Sequence, residues 1–99
     1  MRMNEMFELT GFQRDLLVVA SALEKPSGQE IKERIEDAMG KAVKHGRLYP
    51  NLDTLVEQGL LNKGQHDRRT NYYQITEKGK LTIQEQLEWM RSESQALPA

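Results

Sequence analysis

The feature that most constrains this sequence is a change in the spacing of its apolar residues near position 60. Before that position, apolar residues recur every three or four residues in three short segments, which is the spacing of one helix face. After it, two short segments, the second aromatic and β-branched, flank a charged turn, which is typical of a β-hairpin. A helical segment follows. In a chain of 99 residues, this order leaves room for one small domain and excludes a TIM barrel or a doubly wound sheet.

The first two helices are marked by capping and proline signals. Thr10 with Gln13, and Ser27 with Glu30, each form a capping box, in which a hydroxyl caps the helix N-terminus and the later side chain bonds back to it. Pro26 is expected to end the first helix, because proline disfavours helical geometry in the residue before it. The sequence therefore predicts two short helices joined by a tight connection.

A third helix, a hairpin and a last helix complete the chain. The third helix is predicted over residues 46–58, with Pro50 in its first turn, where the missing N–H costs little. The hairpin strands are predicted over residues 60–66 and 72–76, on either side of a polar tip. Thr76 is expected to cap the last helix.

Three helices followed by a two-stranded hairpin is the element order of a winged helix-turn-helix, an α+β fold that is mainly α. In this fold the second and third helices form the helix-turn-helix, the third enters the major groove of DNA, and the hairpin is the wing. We expect an N-terminal segment that lies at a dimer interface, a winged helix-turn-helix DNA-binding domain and a C-terminal dimerisation helix, over residues 1–9, 10–76 and 77–99.

The composition of the chain excludes several classes of function. The chain has no cysteine and two histidines, which excludes disulfides and thiol catalysis and leaves too few ligands for most metal sites. The sequence shows no nucleophile–base pair and no phosphate-binding loop, so we expect neither an enzyme nor a cofactor or metal. The longest apolar run, residues 16–20, is far shorter than the roughly 20 residues of a membrane span. The first nine residues lack the apolar core of a signal peptide. We therefore expect a soluble cytoplasmic protein with no membrane partner.

The charge of the chain is unevenly distributed. The formal net charge is −1, but residues 41–72 sum to +3, so the remainder sums to −4. A basic middle in an acidic chain orients one face of the protein towards a polyanion. The alternative is an ordinary charged surface that is solvated.

Two sequence motifs in and beside this basic region resemble those of a known family. GRLYPNLDTLVEQGLL, residues 46–61, resembles the G-x-L-Y-P-x-L-x-x-L-x-x-x-G-L signature of PadR-type transcriptional regulators. RTNYYQITEKG, residues 69–79, is similar to the wing motif of that family. The single helix after the wing resembles the short form of the family, which includes small haloarchaeal regulators. The resemblance spans residues 10 to about 90 and implies a winged helix-turn-helix that binds DNA. Thr70-Asn71 departs from the proline or basic pair that is more usual in the family's wing.

Residues of the types that bind DNA concentrate on the third helix and the wing. With the leucines of the third helix facing the core, Arg47, Asn51 and Thr54 are expected on the opposite side. A guanidinium, an amide and a hydroxyl there would suit recognition of base edges. Tyr49 is expected either to pack under the helix or to donate to a phosphate. The predicted DNA-binding set also includes polar residues before the helix and around the wing: Lys44, Lys63, Arg68, Arg69 and Asn71.

Each of these predicted contacts has a simpler alternative. The polar row on the third helix could be a solvated face, and the wing cluster could be a charged turn that keeps the hairpin soluble. Asp53 lies beside the polar row and would repel phosphate unless it is turned away or paired. The sequence leaves these alternatives open.

The last helix carries more apolar surface than a hairpin and one helix need, which indicates a partner. The simplest partner is a second copy of the chain. A two-fold dimer would present two recognition helices to half-sites about one helical turn apart, near 34 Å. The alternative is a monomer whose last helix folds over its own core. The predicted interface combines the N-terminal segment and the last helix: Met3, Met6, Phe7, Leu9, Leu81, Ile83, Leu87, Trp89 and Met90.

These observations predict a homodimeric, sequence-specific regulator that binds double-stranded DNA and acts as a repressor. One alternative is a winged-helix module that binds a protein through the same face. Another is an architectural protein that binds DNA without sequence preference. The sequence shows no effector site, and the dimer interface is where a site for a small-molecule effector could form.

Overall fold

The computed structural model of the protein describes residues 5–98. A short 3-10 helix over Glu5–Glu8 precedes four α-helices and a two-stranded antiparallel sheet. This is the element order of a winged helix-turn-helix, so the predicted fold class is confirmed. In chain order the elements are α1 (Gly11–Ser21), α2 (Gly28–Met39), α3 (His45–Glu57), β1 (Leu61–Gln65), β2 (Asn71–Ile75) and α4 (Glu77–Glu93).

The three predicted N-caps are present. The hydroxyl of Thr10 accepts the backbone N–H of Gln13 at 3.1 Å, and the Gln13 side chain accepts the N–H of Thr10 at 3.1 Å. Ser27 and Glu30 form the same reciprocal pair at the start of α2. Thr76 caps α4 through its hydroxyl. Each cap satisfies an N–H that the helix itself leaves without a partner, which stabilises the helix by about 1 kcal/mol.

The first helix ends earlier than the sequence predicts. α1 stops at Ser21, and the turn after it ends with Lys25 in the left-handed conformation, with φ of 44°. The hairpin fixes this turn. The Lys25 N–H donates to the Gln74 side chain, and the Lys25 carbonyl lies 2.9 Å from Nε2 of His66. Contacts with residues more than 40 positions away therefore hold the turn at Lys25, beside Pro26.

The turn between α2 and α3 is held by one carboxylate. α2 ends at Met39, and its C-cap residue Gly40 has a φ of 71°, a conformation that glycine adopts without strain. Glu36 accepts the backbone N–H of Val43 at 2.7 Å and an ion pair from Lys32 at 3.0 Å. The hydrogen bond from Val43, followed by that from Lys32, lowers the pKa of Glu36 below its usual value. This carboxylate therefore sets how α3 follows α2.

Pro50 lies in the second turn of α3 rather than in the first. Because α3 begins at His45, a residue at position 50 would normally donate its N–H to the carbonyl of Gly46, and proline has no such hydrogen. The predicted first-turn position is therefore wrong. The helix nevertheless continues through Pro50 to Glu57.

The core lies between the first three helices and the inner face of the hairpin. Leu48, Leu52 and Leu55 of α3 are completely buried, as their spacing predicts. The hairpin contributes Leu61 and Tyr73, which are 1% and 2% exposed. The remaining buried apolar residues include Leu16, Leu17, Ala20, Ile31, Ile35, Val43, Leu60 and Ile75.

The N-terminal segment packs on its own chain. Met6 and Leu9 are 4% and 7% exposed and belong to the hydrophobic core. The 3-10 helix lies against α4, and Glu5 forms an ion pair with Lys78 at 3.2 Å. Residues 5–9 are therefore part of the domain rather than a separate segment awaiting a partner. Residues 1–4 lie outside the described residues.

The last helix has two different halves. Thr82 and Gln86 in its first half are buried against the rest of the protein. Every residue from 87 to 98 is exposed. The second half of α4 therefore presents all of its side chains to solvent.

Candidate nucleic-acid interface

A single cleft brings together α3 and the predicted wing residues. It lies between the start of α2, the side of α3 away from α1, and the hairpin, and its volume is about 370 Å³. We call it the wing cleft. Its lining includes four of the predicted DNA-binding residues, Tyr49, Lys63, Arg69 and Asn71. It also includes Asp53. The fold therefore gathers side chains from α3, β1 and the hairpin tip into one polar site.

Asp53 and Lys63 form an ion pair across this cleft. Oδ1 of Asp53 lies 3.3 Å from Nζ of Lys63, so the pair joins α3 to β1. The hydrogen bond with Asp53 raises the pKa of Lys63. Nζ of Lys63 also lies 5.6 Å from the centre of the Tyr73 ring, and burial raises the pKa of that tyrosine. Asp53 was expected to be either turned away or paired, and the structure shows that it is paired.

Tyr49 packs at the bottom of the cleft. It is half-buried and packs against the core, and its ring lies directly over Gly28. A Cβ atom at position 28 would lie 2.5 Å from this ring, so a larger residue there would require the ring to move. The ring therefore packs against the core, which is the first of the two alternatives predicted for Tyr49. The same residue also lines the cleft. Contact between its hydroxyl and a phosphate stays a prediction.

The tip of the hairpin is shaped by Asp67. Its carboxylate accepts the backbone N–H groups of Arg69 and Thr70 at 2.8 and 2.9 Å, a turn that aspartate side chains commonly form. The hydrogen bond from Arg69 is the main cause that lowers the pKa of Asp67. This turn holds the backbone at Arg69, whose side chain lines the cleft. Arg68 is exposed at the tip but is not part of the cleft lining.

The predicted polar row of α3 lies beside α1 rather than opposite the core. Because successive helix residues are about 100° apart, this row lies roughly a quarter turn from the leucine stripe. The guanidinium of Arg47 stacks 3.9 Å from the centre of the Phe12 ring. Oδ1 of Asn51 accepts from Gln13 at 2.9 Å, and its Nδ2 donates to the Arg47 carbonyl at 2.7 Å. The prediction that this row opposes the core is therefore wrong.

The other predicted DNA-binding residues have simple environments. The hydroxyl of Thr54 donates to the carbonyl of Pro50 at 3.0 Å, which leaves its oxygen able to accept a hydrogen bond. Lys44 is exposed at the N-cap position of α3 and makes no side-chain capping bond. Neither residue lines the wing cleft.

The predicted interface residues divide into buried and exposed groups. Met6 and Leu9 lie in the core of their own chain, and Ile83 is half-buried against it, so these three are withdrawn from the predicted interface. The others remain exposed, including Phe7 at 52%. Its ring packs edge-on against Trp89, with centroids 5.0 Å apart. The exposed group consists of Phe7, Leu81, Leu87, Trp89 and Met90. Met3 lies outside the described residues.

Two contacts at this interface had no signal in the sequence. Gln13 matched a capping pattern, but nothing indicated that its amide would also reach Asn51, 38 residues away. The backbone of Pro26 accepts the N–H of Tyr73 at 2.8 Å, which joins the hairpin to the start of α2. Both contacts connect segments that are distant in sequence, so periodicity and capping rules cannot detect them.

The described residues offer neither a membrane-spanning helix nor a cluster of metal ligands. Among residues 5–98, no helix has both the length and the apolar character needed to cross a membrane. In the same part of the chain, no group of three or more acidic or histidine side chains is arranged to hold a metal ion. The expectation that the protein uses no metal stays a prediction.

The fold and the cleft define a winged-helix protein of the class that binds DNA. The profile of the transcriptional regulator PadR-like family matches residues 16–85. The chain belongs to this family of transcriptional regulators, which are not enzymes. A search of curated proteins gave no match.

Solved structures agree with this assignment. RosR of H. salinarum is 43% identical, with a TM-score of 0.85 over 92% of this chain and 82% of RosR. A complex structure of RosR is 42% identical, with a TM-score of 0.87 over 93% and 81% of the two chains. F93 from STIV, a winged-helix DNA-binding protein, has a TM-score of 0.69 at 17% identity and covers 96% of this chain and 98% of its own. The last of these similarities concerns the fold alone.

Proposed function

We propose that this protein is a sequence-specific transcriptional repressor that binds a pseudo-palindromic DNA site as a homodimer in the cytoplasm. In this proposal α3 enters the major groove and the wing lies on the adjacent backbone, as in other winged helices. Family membership supports a DNA-binding regulator. The wing cleft is the observation that supports this mode of binding, because it places polar side chains of α3 and the wing on one surface.

The proposed backbone contacts come from the wing cleft and its edges. Lys63 and Arg69 supply positive charge, and Tyr49 and Asn71 supply hydrogen-bond donors, at the same opening. Lys44 at the start of α3 and Arg68 at the hairpin tip would extend these contacts along the backbone. These are phosphate contacts, so they position the protein without selecting a sequence.

The proposed base contacts come from the other flank of α3. Arg47 is exposed, and stacking on Phe12 holds its guanidinium in one orientation, which suits a bidentate contact with guanine. Thr54 would accept a hydrogen bond on the same flank, because its own hydrogen is donated to the carbonyl of Pro50. Asn51 has its amide bonded to Gln13 and to the Arg47 backbone, so we assign it to positioning Arg47.

The proposed dimer forms through the exposed half of α4. Leu87, Trp89 and Met90 are 50%, 45% and 51% exposed on this half, and Phe7 packs against Trp89 at its edge. Exposed apolar side chains that cluster on a soluble protein usually mark a binding surface. A two-fold partner would cover them and would place two copies of α3 on one face of the DNA.

Selection of bound sequences from random duplex DNA at two salt concentrations tests the function. We expect a two-fold symmetric motif with half-sites about one helical turn apart. Binding that shows no sequence preference would contradict the proposal and indicate an architectural protein. Failure to bind any duplex would favour a module that binds protein.

Sedimentation of the full chain tests the dimer. Leu87→Glu with Met90→Glu places charge on the proposed interface, and we expect the sedimenting mass to fall from two copies to one. Leu97→Glu is the matched control, because Leu97 is also exposed but lies beyond the end of α4. A wild-type protein that sediments as one copy when bound to its preferred site would contradict a homodimer.

A further inference from the structure

Asp53 contributes the only carboxylate to the wing cleft, among the residues that the structure describes. The other charged lining residues are Lys63 and Arg69. Its side chain is 49% exposed, and that of its partner Lys63 is 38% exposed. The ion pair therefore forms at the surface that the proposed function gives to DNA. An acidic side chain at such a position opposes binding to phosphate, so its presence requires an explanation.

The exposure of the pair means that other groups can compete for either partner. A half-exposed ion pair contributes little to folding, because water and salt screen it. A phosphate that approaches Lys63 must compete with Asp53 for the same ammonium group and is repelled by the carboxylate. On DNA that offers only backbone contacts, Asp53 therefore lowers affinity.

Asp53 also lies on a part of α3 that points away from the core. At about 100° per residue, it is roughly 130° around the helix from the leucine stripe, further than Arg47 or Asn51. A carboxylate in the major groove accepts a hydrogen bond from the exocyclic amine of cytosine, whereas guanine and thymine present acceptors that repel it. A cytosine at the right position would thus engage Asp53 and release Lys63 for the backbone.

We propose that Asp53 is a specificity-determining residue: it accepts a hydrogen bond from the N4 amine of a cytosine in the preferred site, and on other DNA it keeps Lys63 from phosphate. The proposal rests on the proposed function, because it requires a preferred site. Specificity then comes partly from a penalty on wrong sequences, which is one of the two ways in which a protein can discriminate between partners.

Binding of the full chain to its preferred duplex and to a scrambled duplex, over a range of salt, tests this assignment. Asp53→Ala should bind the scrambled duplex about eightfold more tightly near 0.1 M salt, with a salt slope steeper by about 0.9, because Lys63 becomes free to neutralise one phosphate. Affinity for the preferred duplex should not rise, since the cytosine contact is lost. The ratio of the two affinities should therefore fall. Lys63→Met in the Asp53→Ala background should remove the gain in slope.

Glu57→Ala is the matched control. Glu57 is exposed on the same helix and lies outside the wing cleft, so its removal changes the charge equally. We expect Glu57→Ala to change both affinities by the same factor. Asp53→Ala behaving in the same way, with an unchanged ratio, would overturn the proposal. A wild-type protein with no preferred duplex would instead contradict the proposed function.

Sequence selection with Asp53→Ala provides a second test. The wild-type motif should contain a cytosine in each half-site that the variant no longer selects. A variant motif that keeps every cytosine of the wild-type motif would overturn the proposed base contact.

Discussion

The two flanks of α3 carry similar polar residues in different surroundings. On the α1 side, Arg47 stacks on Phe12 and the amide of Asn51 bonds to Gln13. On the wing side, Lys63 and Tyr49 line an open cleft together with the hairpin tip. Residue type alone therefore does not identify a DNA contact. A polar group that the fold already uses is less available to DNA than the same group at an open surface.

The largest expected effect comes from removing the cations of the wing side. Lys63→Met with Arg69→Met should weaken binding to the preferred duplex most, because both cations reach phosphate there. Loss of two neutralised phosphates should reduce the salt slope on that duplex by about 1.8, which corresponds to about sixtyfold in affinity near 0.1 M salt. On random duplex, where Asp53 holds Lys63, the slope should fall by about 0.9. Fluorescence anisotropy titrations at several salt concentrations would measure both quantities.

Lys80→Met with Arg34→Met is the control for this prediction. It removes two exposed positive charges, from α4 and α2, that lie outside both the wing cleft and the exposed half of α4. Its salt slope should match that of the wild type. An equal loss of slope in both double variants would mean that DNA responds to net charge and not to the cleft.

A smaller effect, confined to the preferred site, is expected from the α1 side. Arg47→Ala removes a proposed contact with a guanine and should weaken binding to the preferred duplex about tenfold, because a good bidentate contact gives about 1–3 kcal/mol of discrimination. Binding to random duplex should change much less. Competition experiments with the two duplexes would measure the difference. Equal losses on both would remove Arg47 from base recognition.

Replacement of Asn51 should affect the stability of the fold, which distinguishes the role of Asn51 from that of Arg47. Asn51→Ala and Gln13→Ala each break the hydrogen bond between α1 and α3, and each should lower the free energy of unfolding by about 1 kcal/mol. The double variant should be less destabilised than the sum, because the same bond is lost twice. Urea denaturation of the four proteins would measure this coupling. Additive losses would mean that the two side chains do not interact.

The sequence predicted the local structure well and the distant contacts poorly. The capping boxes at Thr10 and Ser27 and the hairpin were predicted because their signals lie within a few residues of each other. The bond between Gln13 and Asn51 depends on how helices pack, which no short pattern encodes. Met6 was assigned to a partner because the sequence shows that it is apolar but not what covers it.

The candidate site was predicted in the same uneven way. The charged residues of the wing were identified from composition, and the structure brings Lys63 and Arg69 to one cleft. The orientation of Arg47 was wrong, because the helix was divided into core and opposite faces, whereas α1 covers one of its flanks. Predictions that divide a helix into a core face and an opposite face fail for residues between the two faces, which a neighbouring helix can cover.

The smallest expected effect concerns the turn between α2 and α3, which positions both flanks of α3. The lowered pKa of Glu36 means that its ionised form stabilises the folded state. This contribution is fully present above the ordinary glutamate pKa of 4.5 and is lost as the pH falls through the lower folded-state value. Glu36→Gln should therefore flatten the acid side of the stability profile, measured by urea denaturation from neutral pH downwards. An unchanged acid dependence would mean that the carboxylate does not hold the turn.

The central claim is that the wing side of α3 meets the DNA backbone while Asn51 stays bonded to Gln13. Nuclear magnetic resonance of the 15N-labelled protein, titrated with its preferred duplex, tests this most directly. We predict that the amide signals of residues 27–29 and 63–71 shift strongly, while the side-chain amides of Gln13 and Asn51 keep their free-state positions. Strong shifts of those two side chains, with an unperturbed hairpin, would contradict the claim.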